Sequence, residues 1–276
     1  MLIDSPDQKG LVAKISGLLY SHSANIIHAD QHLDRDEGLF FMRLEWSLEN
    51  FDMAAFERAF AELARGLKLR WRMQLSARRM KVAMMVSCYQ HCLADLLHRQ
   101  QTGELHCDIP LILSNHRDAE KLAAFHGIPF YAIPVTQENR AQAEAEQIRL
   151  IGEHACDLIV LARYMQVLSP GFVARFPQRI INVHHSFLPA FTGARPYHAA
   201  FSRGVKIIGA TSHYVTDVLD EGPIIDQDVM RVSHRDQTEN LIEKGRDLER
   251  MVLSRAVKWH TEGRILCYGN KTVIFD

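Results

Sequence analysis

The stretch INVHHSFLPAF, from Ile181 to Phe191, begins as an apolar strand and then presents a run of polar side chains before a Leu-Pro turn. Residues two apart in an extended chain point to the same side, so Asn182 and His184 face one pocket. In an open α/β sheet, ligands bind beyond the carboxyl ends of the strands. An amide and an imidazole at such an end can both contact a polarised carbonyl oxygen, and the imidazole can carry a proton near neutral pH. The alternative interpretation is a strand end whose polar groups only cap the backbone.

Strand and helix patterns alternate on both sides of this stretch, from about Met80 onward. The segment KVAMMVS is apolar without alternation, as expected of a central parallel strand. Further strands are predicted at DIPLILSN, IPFYAIP, CDLIVLA, RIINVHHS, KIIGATSHYV and PIIDQDVM, and helices at HCLADLLHRQ, from Asp118, over 138–154 and over 236–261. Alternating strands and helices indicate an α/β domain with a mostly parallel sheet.

The first 75 or so residues follow a different pattern. The segment LFFMRLEW alternates, with Phe40, Met42 and Leu44 on one face, which predicts a half-buried strand. Apolar residues at helical spacing predict one helix before this strand and one after it. The predicted order is β-α-β-β-α-β, a small split sandwich of ferredoxin type. The polar bridge SARRMK separates the two patterns, so we predict two domains, at residues 1–77 and 78–276.

The totals of the chain exclude several classes of protein. Its 276 residues, 47% of them hydrophobic, suffice for two modest domains, and the net charge of −1 argues against a nucleic-acid or anionic-membrane surface. No apolar run approaches the roughly 20 residues that cross a bilayer, and the N-terminus lacks a signal-peptide pattern. Five irregularly spaced cysteines fit reduced thiols in a cytosol, and no second Cys or His pair follows Cys88 and Cys92 at zinc-finger spacing.

Two further segments hold residues that can take part in chemistry. The loop SHYVTDVLDEGPIIDQ, Ser212 to Gln227, carries Asp220. A carboxylate opposite the Asn/His pair could orient the imidazole or accept a proton from water, although Asp and Gly before Pro are also common turn formers. The segment LARYMQVLSPGFVARF, Leu161 to Phe176, offers apolar residues that either line a cleft or belong to the core.

Three motifs, INVHHSFLPAF, RYMQVLSPGFV and TSHYVTDVLDEGPIIDQ, together resemble the signatures of folate-dependent formyl-transferring enzymes. The resemblance covers about Met80 to Asp276 and implies a Rossmann-like formyltransferase fold. It also implies Asn182, His184 and Asp220 as the catalytic set, with no metal and no prosthetic group. The residues that it implies for substrate binding are Arg163, Met165, Gln166, Val167, Leu168, Thr211, His213 and Asp217, and His91 is a further candidate.

The N-terminal segments SPDQKGLVAKISGLL, ANIIHADQH and GLFFMRLEW resemble an ACT domain, a regulatory module that binds small molecules. This resemblance implies an amino-acid effector and a homo-oligomer, either a dimer or a tetramer. The effector residues that it implies are Asp7, Gln8, Lys9, Gly10 and Asn25.

An ACT domain followed by a formyltransferase-like domain resembles the 10-formyltetrahydrofolate deformylases of one-carbon metabolism. We therefore expect a cytoplasmic enzyme that hydrolyses 10-formyltetrahydrofolate to formate and tetrahydrofolate, with no nucleic-acid or membrane partner. One alternative is a transferase with an amine acceptor, like glycinamide ribonucleotide transformylase. Another is a non-enzymatic sensor of folate and an amino acid.

Two features favour water over an amine as the acceptor. The related transformylase has a Gly-rich turn that cradles the substrate phosphate, whereas the corresponding stretch VSCYQHCLADLL, Val86 to Leu97, holds no glycine. Methionyl-tRNA formyltransferase carries an extra basic C-terminal domain, whereas this chain is expected to end directly after its final helix.

Overall fold

The computed structural model describes residues 1–189 and 196–276, which form two compact units. Ala190 and Phe191, at the end of the INVHHSFLPAF stretch, lie outside the described residues. The first unit comprises Met1–Arg78, Gly263–Tyr268 and Thr272–Asp276, and the second comprises Arg79–Glu262 and Gly269–Lys271. Among the helices of the described part, none combines the length and apolar character that crossing a membrane requires.

The first unit has the predicted β-α-β-β-α-β order. Its elements are β1 (Leu2–Pro6), α1 (Leu11–Ser21), β2 (Asn25–Asp34), β3 (Leu39–Ser47), α2 (Met53–Leu67) and β4 (Arg70–Arg72). The strands form an antiparallel sheet in the order β2-β3-β1-β4. Both helices pack on one face of this sheet, where Ile3, Ile15 and Phe56 are fully buried. The α/β arrangement expected for the N-terminal segment is therefore confirmed.

The second unit is built on a seven-stranded sheet in the order β11-β10-β9-β8-β5-β6-β7. Strands β5 to β9 run parallel, while β10 and β11 are antiparallel to their neighbours. Its strands are β5 (Met80–Val86), β6 (Cys107–Ser114), β7 (Phe130–Ala132), β8 (Leu158–Leu161), β9 (Ile180–His184), β10 (Ile207–Tyr214) and β11 (Ile224–Arg231). Its helices are α3 (His91–Gln101), α4 (Glu120–Phe125), α5 (Arg140–Glu153), α6 (Pro170–Val173), α7 (Pro196–Arg203) and α8 (Thr238–Thr261). The predicted mostly parallel sheet is confirmed.

The sequence had led us to expect that the chain ends directly after its final helix, and this expectation was wrong. A hairpin of β12 (Ile265–Tyr268) and β13 (Lys271–Ile274) follows α8. Leu266 and Phe275 bury against Leu2 and Phe41, on the sheet face opposite α1 and α2. Most of this tail therefore lies with the first unit and not within the range 78–276 that was expected for the second, because it covers an apolar sheet face.

Candidate active site

Strands β9 and β10 bring Asn182 and His213 together. Because β10 runs antiparallel to β9, His213 pairs with Asn182 across the ladder. The Nδ2 atom of Asn182 lies 3.2 Å from Nε2 of His213, and Nδ1 of His213 lies 2.9 Å from the carbonyl oxygen of Tyr214. Since a carbonyl only accepts hydrogen bonds, Nδ1 of His213 carries the proton. In the neutral ring, Nε2 therefore accepts from one N–H of the Asn182 amide, and within the described residues the second N–H is left for a ligand.

The loop between β10 and β11 places Asp220 beside His184 and His213. Its Oδ2 lies 3.2 Å from Nδ1 of His184, and its Oδ1 lies 3.6 Å from Nε2 of His213. Asp220 has a left-handed backbone, with φ of 57°. Gly222 allows the loop to pass this close to β10, because a Cβ there would lie 1.8 Å from the carbonyl oxygen of Tyr214. The hydrogen bond from Nδ1 of His184 is the largest cause that holds the pKa of Asp220 well below its usual range, so this carboxylate stays ionised.

His184 has one nitrogen engaged and one available. Its side chain is buried and its Nδ1 faces Asp220. Its Nε2 has no hydrogen-bond partner within residues 1–189 and 196–276. A neutral imidazole that donates from Nδ1 to a carboxylate presents a lone pair at Nε2. His184 can therefore accept a proton at Nε2 and return it, while Asp220 stabilises the cation that forms in between.

His185, the next residue, has a different environment. Its ring stacks on that of His184, with centroids 5.0 Å apart and planes 20° apart. Its Nδ1 lies 2.7 Å from Nη1 of Arg163. Because a guanidinium only donates, Nδ1 of His185 accepts and its proton lies on Nε2. Burial and the charge of Arg163 lower the pKa of His185 to about 4, so this ring stays neutral.

Behind these histidines lies a buried carboxylate on α8, Glu249. One oxygen, Oε2, lies 2.6 Å from Nε2 of His91 and 3.5 Å from Nε of Arg163, and the other accepts from Tyr197 Oη at 2.8 Å. Burial alone would raise the pKa of Glu249, but His91 and Arg163 outweigh it, and the pKa is lowered. Glu249 therefore stays ionised and links α3, α7, α8 and the segment after β8.

Two groups of side chains hold donor atoms close enough together to meet around a metal ion. His91, Cys92 and Glu249 form one group, and the exposed Cys88, His116 and Asp118 form the other. Metal ions bind the thiolate, but burial and the charge of Glu249 raise the pKa of Cys92 well above its usual range. The first group is therefore better described as a hydrogen-bond network than as a metal site.

The comparisons with known proteins decide the family. The family model described as formyl transferase matches residues 80–257. A formyltetrahydrofolate deformylase from Synechocystis sp. is 52% identical over 277 residues, which span 100% of this chain and 97% of that relative. The chain belongs to the formyltetrahydrofolate deformylase family. A crystal structure of a formyltetrahydrofolate deformylase from Pseudomonas syringae pv. tomato matches with a TM-score of 0.97 and 49% identity, over 100% of this chain and 93% of that chain.

A transferase of the same fold is less similar than these deformylases. Glycinamide ribonucleotide transformylase 1 from Symbiobacterium toebii matches with a TM-score of 0.68 and 26% identity. It covers 75% of this chain and 99% of its own length. The similarity to the deformylases thus extends over the whole chain, whereas the similarity to the transformylase is limited to part of it.

The structure places the residues that were expected in this deformylase site in different surroundings. Asn182, His184, His213 and Asp220 converge, whereas the exposed Asp217 lies elsewhere on the loop. Met165 and Val167 are exposed and Gln166 is half-buried, so they can face a ligand. Leu168, expected to pack on the folate, instead belongs to the hydrophobic core.

Two other residues expected to bind the substrate are occupied within the protein. Thr211 is fully buried. Its hydroxyl donates to the carbonyl of Ser186 and accepts from the backbone N–H of Leu188, and these hydrogen bonds fix the turn after β9. The guanidinium of Arg163 is buried against His185 and Glu249. His91, the further candidate, contacts Glu249.

Glu249 and Tyr197 were not among the site residues predicted from the sequence. A signal for Glu249 was present in α8. The buried stripe of this helix includes Leu241, Gly245, Leu248 and Val252, and Glu249 lies on it. A charged residue within an apolar helix stripe needs a buried partner.

Proposed function

We propose that this chain hydrolyses 10-formyltetrahydrofolate to formate and tetrahydrofolate, with Asn182, His184 and Asp220 as its catalytic residues. The observation that carries the proposal is the state of His184, whose Nδ1 faces the ionised Asp220 while its Nε2 has no partner among the described residues. This is the arrangement of a histidine general base with a carboxylate behind it.

The reaction begins with a water molecule next to the formyl carbon. Nε2 of His184 takes one proton from the water as its oxygen bonds to that carbon, and the carbonyl electrons move onto oxygen. The free N–H of Asn182 donates to the resulting alkoxide, which lowers the energy of the tetrahedral intermediate. Asp220 faces the imidazolium at Nδ1 and stabilises its charge.

The intermediate then collapses. The alkoxide electrons re-form the carbonyl, the bond between the formyl carbon and the folate nitrogen breaks, and the proton on His184 Nε2 passes to that nitrogen. The products are tetrahydrofolate and formic acid, which ionises to formate in solution. Asp220 itself is a weak base, because the hydrogen bond from His184 lowers its pKa. We therefore assign the proton transfers to His184.

Two observations support water over an amine as the acceptor. The relatives named deformylases match 100% of this chain, including the first unit, whereas the transformylase from Symbiobacterium toebii covers 75%. In addition, the buried carboxylate of Glu249 contacts His91 at the start of α3. An internal negative charge at this helix start disfavours a phosphorylated acceptor there.

The test is to mix the protein with 10-formyltetrahydrofolate alone and to follow formate and tetrahydrofolate. We expect one formate for each tetrahydrofolate without any added amine. Formate that appears only after addition of an amine-bearing acceptor would establish a transferase instead. Binding of the folate without turnover, measured by calorimetry, would establish a sensor.

We also propose that the first unit is an ACT regulatory domain that binds an amino acid. Asp7, Gln8 and Gly10, at the start of α1, line a cavity of about 480 Å³ that β2 closes with Gln31 and His32. Lys9 and Asn25, which were also expected to bind the effector, are exposed, and neither is among the residues that line this cavity. A thermal-shift screen of the amino acids should identify one that stabilises the protein, and Gln31→Ala should abolish that shift.

The edge of the first sheet supports a homo-oligomer. Strand β2 spans 10 residues and pairs only with β3, so its other edge offers backbone hydrogen-bonding groups. Ile27 and Leu33 on this strand are exposed. Light scattering should therefore show a dimer or a tetramer. The five cysteines are free, as expected for an enzyme of the cytosol.

A further inference from the structure

Glu249 is the most deeply buried carboxylate near the candidate site, and the proposed reaction does not use it. Its side chain is 2% exposed, and it contacts three side chains from three other segments: His91, Tyr197 and Arg163. Glu249 is connected to the site through Arg163, whose Nη1 donates to His185, and His185 stacks on His184. A continuous chain of contacts thus runs from α8 to the proposed general base.

The backbone of Arg163 gives a second, independent indication. It is left-handed, with φ of 63°, a conformation that is unfavourable for a non-glycine residue. The surrounding segment is tied down, since the N–H of Ser87 donates to the carbonyl of Arg163 at 3.2 Å and the hydroxyl of Ser87 accepts from the N–H of Met165 at 2.9 Å. This fixed backbone directs the side chain of Arg163 at His185 and Glu249.

We propose that Glu249 and Arg163 are positioning residues that lock His185 as a neutral, Nε2-protonated ring and thereby hold the ring of His184 against Asp220. The proposal rests on the proposed hydrolysis, in which His184 carries the proton. Arg163 supplies the donor that fixes the tautomer of His185, and Glu249 supplies the opposite charge that keeps the guanidinium in place. Tyr197, which donates to Glu249, also lies beside His185, with ring centroids 6.1 Å apart.

The electrostatics around His185 explain why its neutral form matters. The groups that face it are Arg163 after β8, Glu249 on α8, Tyr197 on α7, His184 on β9 and Asp220 in the loop after β10. During the reaction His184 becomes a cation. A second cation stacked on it would oppose that step, because like charges at this separation repel strongly away from water. A locked neutral ring avoids the repulsion and still provides a flat surface that fixes His184.

The test combines histidine NMR with kinetics on the full-length protein. In the wild type, the ring ¹⁵N shifts of His185 should show the Nε2–H tautomer from pH 7 down to about pH 5. In Arg163→Met, His185 should exchange tautomers and gain a proton within that range. The value of kcat should fall roughly 10- to 100-fold while KM changes less than about threefold, because the general base and not the substrate is misplaced.

Two further variants and a control separate positioning from general damage. Arg163→Lys retains one donor for His185, so it should recover part of the lost kcat and the wild-type tautomer. Glu249→Gln preserves shape and hydrogen bonding to Tyr197, and it should also lower kcat and shift the pH–rate profile. Arg99→Met removes an arginine of α3 that pairs with Asp95 and Glu104, and it should change neither readout.

Three results would overturn the proposal. The first is a wild-type His185 that is protonated at neutral pH or that carries its proton on Nδ1. The second is an Arg163→Met enzyme with normal kcat and a raised KM, since Arg163 would then bind the substrate directly. The third is an unchanged His185 spectrum in both the Arg163 and Glu249 variants. The NMR measurements need no turnover, so they test the locked ring even if the protein proves not to release formate.

Discussion

Asp220 and Glu249 are both carboxylates that face histidines in the second unit, yet they differ in what their partners leave free. Asp220 lies on a loop with a left-handed backbone, and its partner His184 has an Nε2 without a partner in the described part of the chain. Glu249 lies within the long helix α8, and its oxygens are engaged by His91, Tyr197 and Arg163. The proposed catalytic role of Asp220 and the proposed positioning role of Glu249 therefore follow from the hydrogen-bonding state of the residues that each carboxylate contacts.

His184, the last residue of β9, and His185, which follows it, show the same difference at adjacent positions. His184 faces Asp220 and His185 faces Arg163, although the two rings stack on each other. Nδ1 of His184 therefore faces a carboxylate, whereas burial and the guanidinium of Arg163 lower the pKa of His185. The two adjacent histidines therefore have the different surroundings that the proposed roles of proton carrier and neutral support require.

The largest effect on turnover is expected from substitution of Asp220 or its partner His184. His184→Ala and Asp220→Ala should each slow turnover by roughly 10²–10⁴-fold, because the proton acceptor or its carboxylate is lost. Circular dichroism and urea unfolding should show an intact fold. If both variants hydrolyse 10-formyltetrahydrofolate at the wild-type rate, the assignment of these roles is wrong.

A smaller effect is expected from the locked neutral state of His185. Its pKa of about 4 in the folded protein lies below the value of 6.5 for an unperturbed histidine. Between these values the unfolded chain binds a proton that the folded chain does not, so the free energy of unfolding falls as the pH drops. The wild type should lose about 3 kcal/mol from this group between pH 7 and pH 4.

The measurement is urea unfolding across this pH range for the wild type and His185→Asn. The difference in unfolding free energy between the two should change with pH by about that amount, in favour of the variant at low pH. The exposed His106 provides the control, since His106→Asn should track the wild type throughout. A wild-type minus His185→Asn difference that is constant with pH would show that His185 protonates normally in the folded protein.

The smallest effect concerns the packing that holds Glu249 in place. A Cβ on Gly245 would lie 2.1 Å from the ring of Tyr197, so Gly245→Ala must displace this ring and its hydrogen bond to Glu249. We expect a loss of about 2 kcal/mol in unfolding free energy, despite the better helix propensity of alanine.

Gly152→Ala in α5 is the matched control for this substitution. Among the described residues, no heavy atom outside the adjacent residues and the helix's own backbone lies within 4 Å of the added Cβ, so the change should be neutral or slightly stabilising. Equal stabilities for the two glycine variants would contradict the role given to Tyr197.

Much of the fold could be predicted because its signals are local. The alternation of LFFMRLEW gives β3, and unbroken apolar runs give the parallel strands of the second unit. The hairpin of β12 and β13 was missed because each strand spans only four residues, too few for a clear period. That the hairpin packs against β1 and β3 depends on contacts between residues more than 200 positions apart, which no local pattern encodes.

The site was predictable only where strand geometry determines it. The two-residue period of a strand places Asn182 and His184 on one side. In the structure, Asn182 contacts His213 and His184 contacts Asp220. Side-chain pairing between distant elements cannot be read from one sequence. The ion pair between Arg163 and Glu249 could therefore not be predicted from the sequence. The burial of Leu168, in a loop, and of Thr211, in a strand, was not apparent from the sequence either.

The most direct test of the central claim is hydrolysis in water enriched in ¹⁸O, with formate and 10-formyltetrahydrofolate analysed by mass spectrometry. If His184 activates a water molecule that attacks the formyl carbon, each formate from the first turnovers carries one ¹⁸O atom, and His184→Ala lowers the rate of labelled product. Formate released without ¹⁸O, or labelled at an unchanged rate in the His184 variant, would contradict the account.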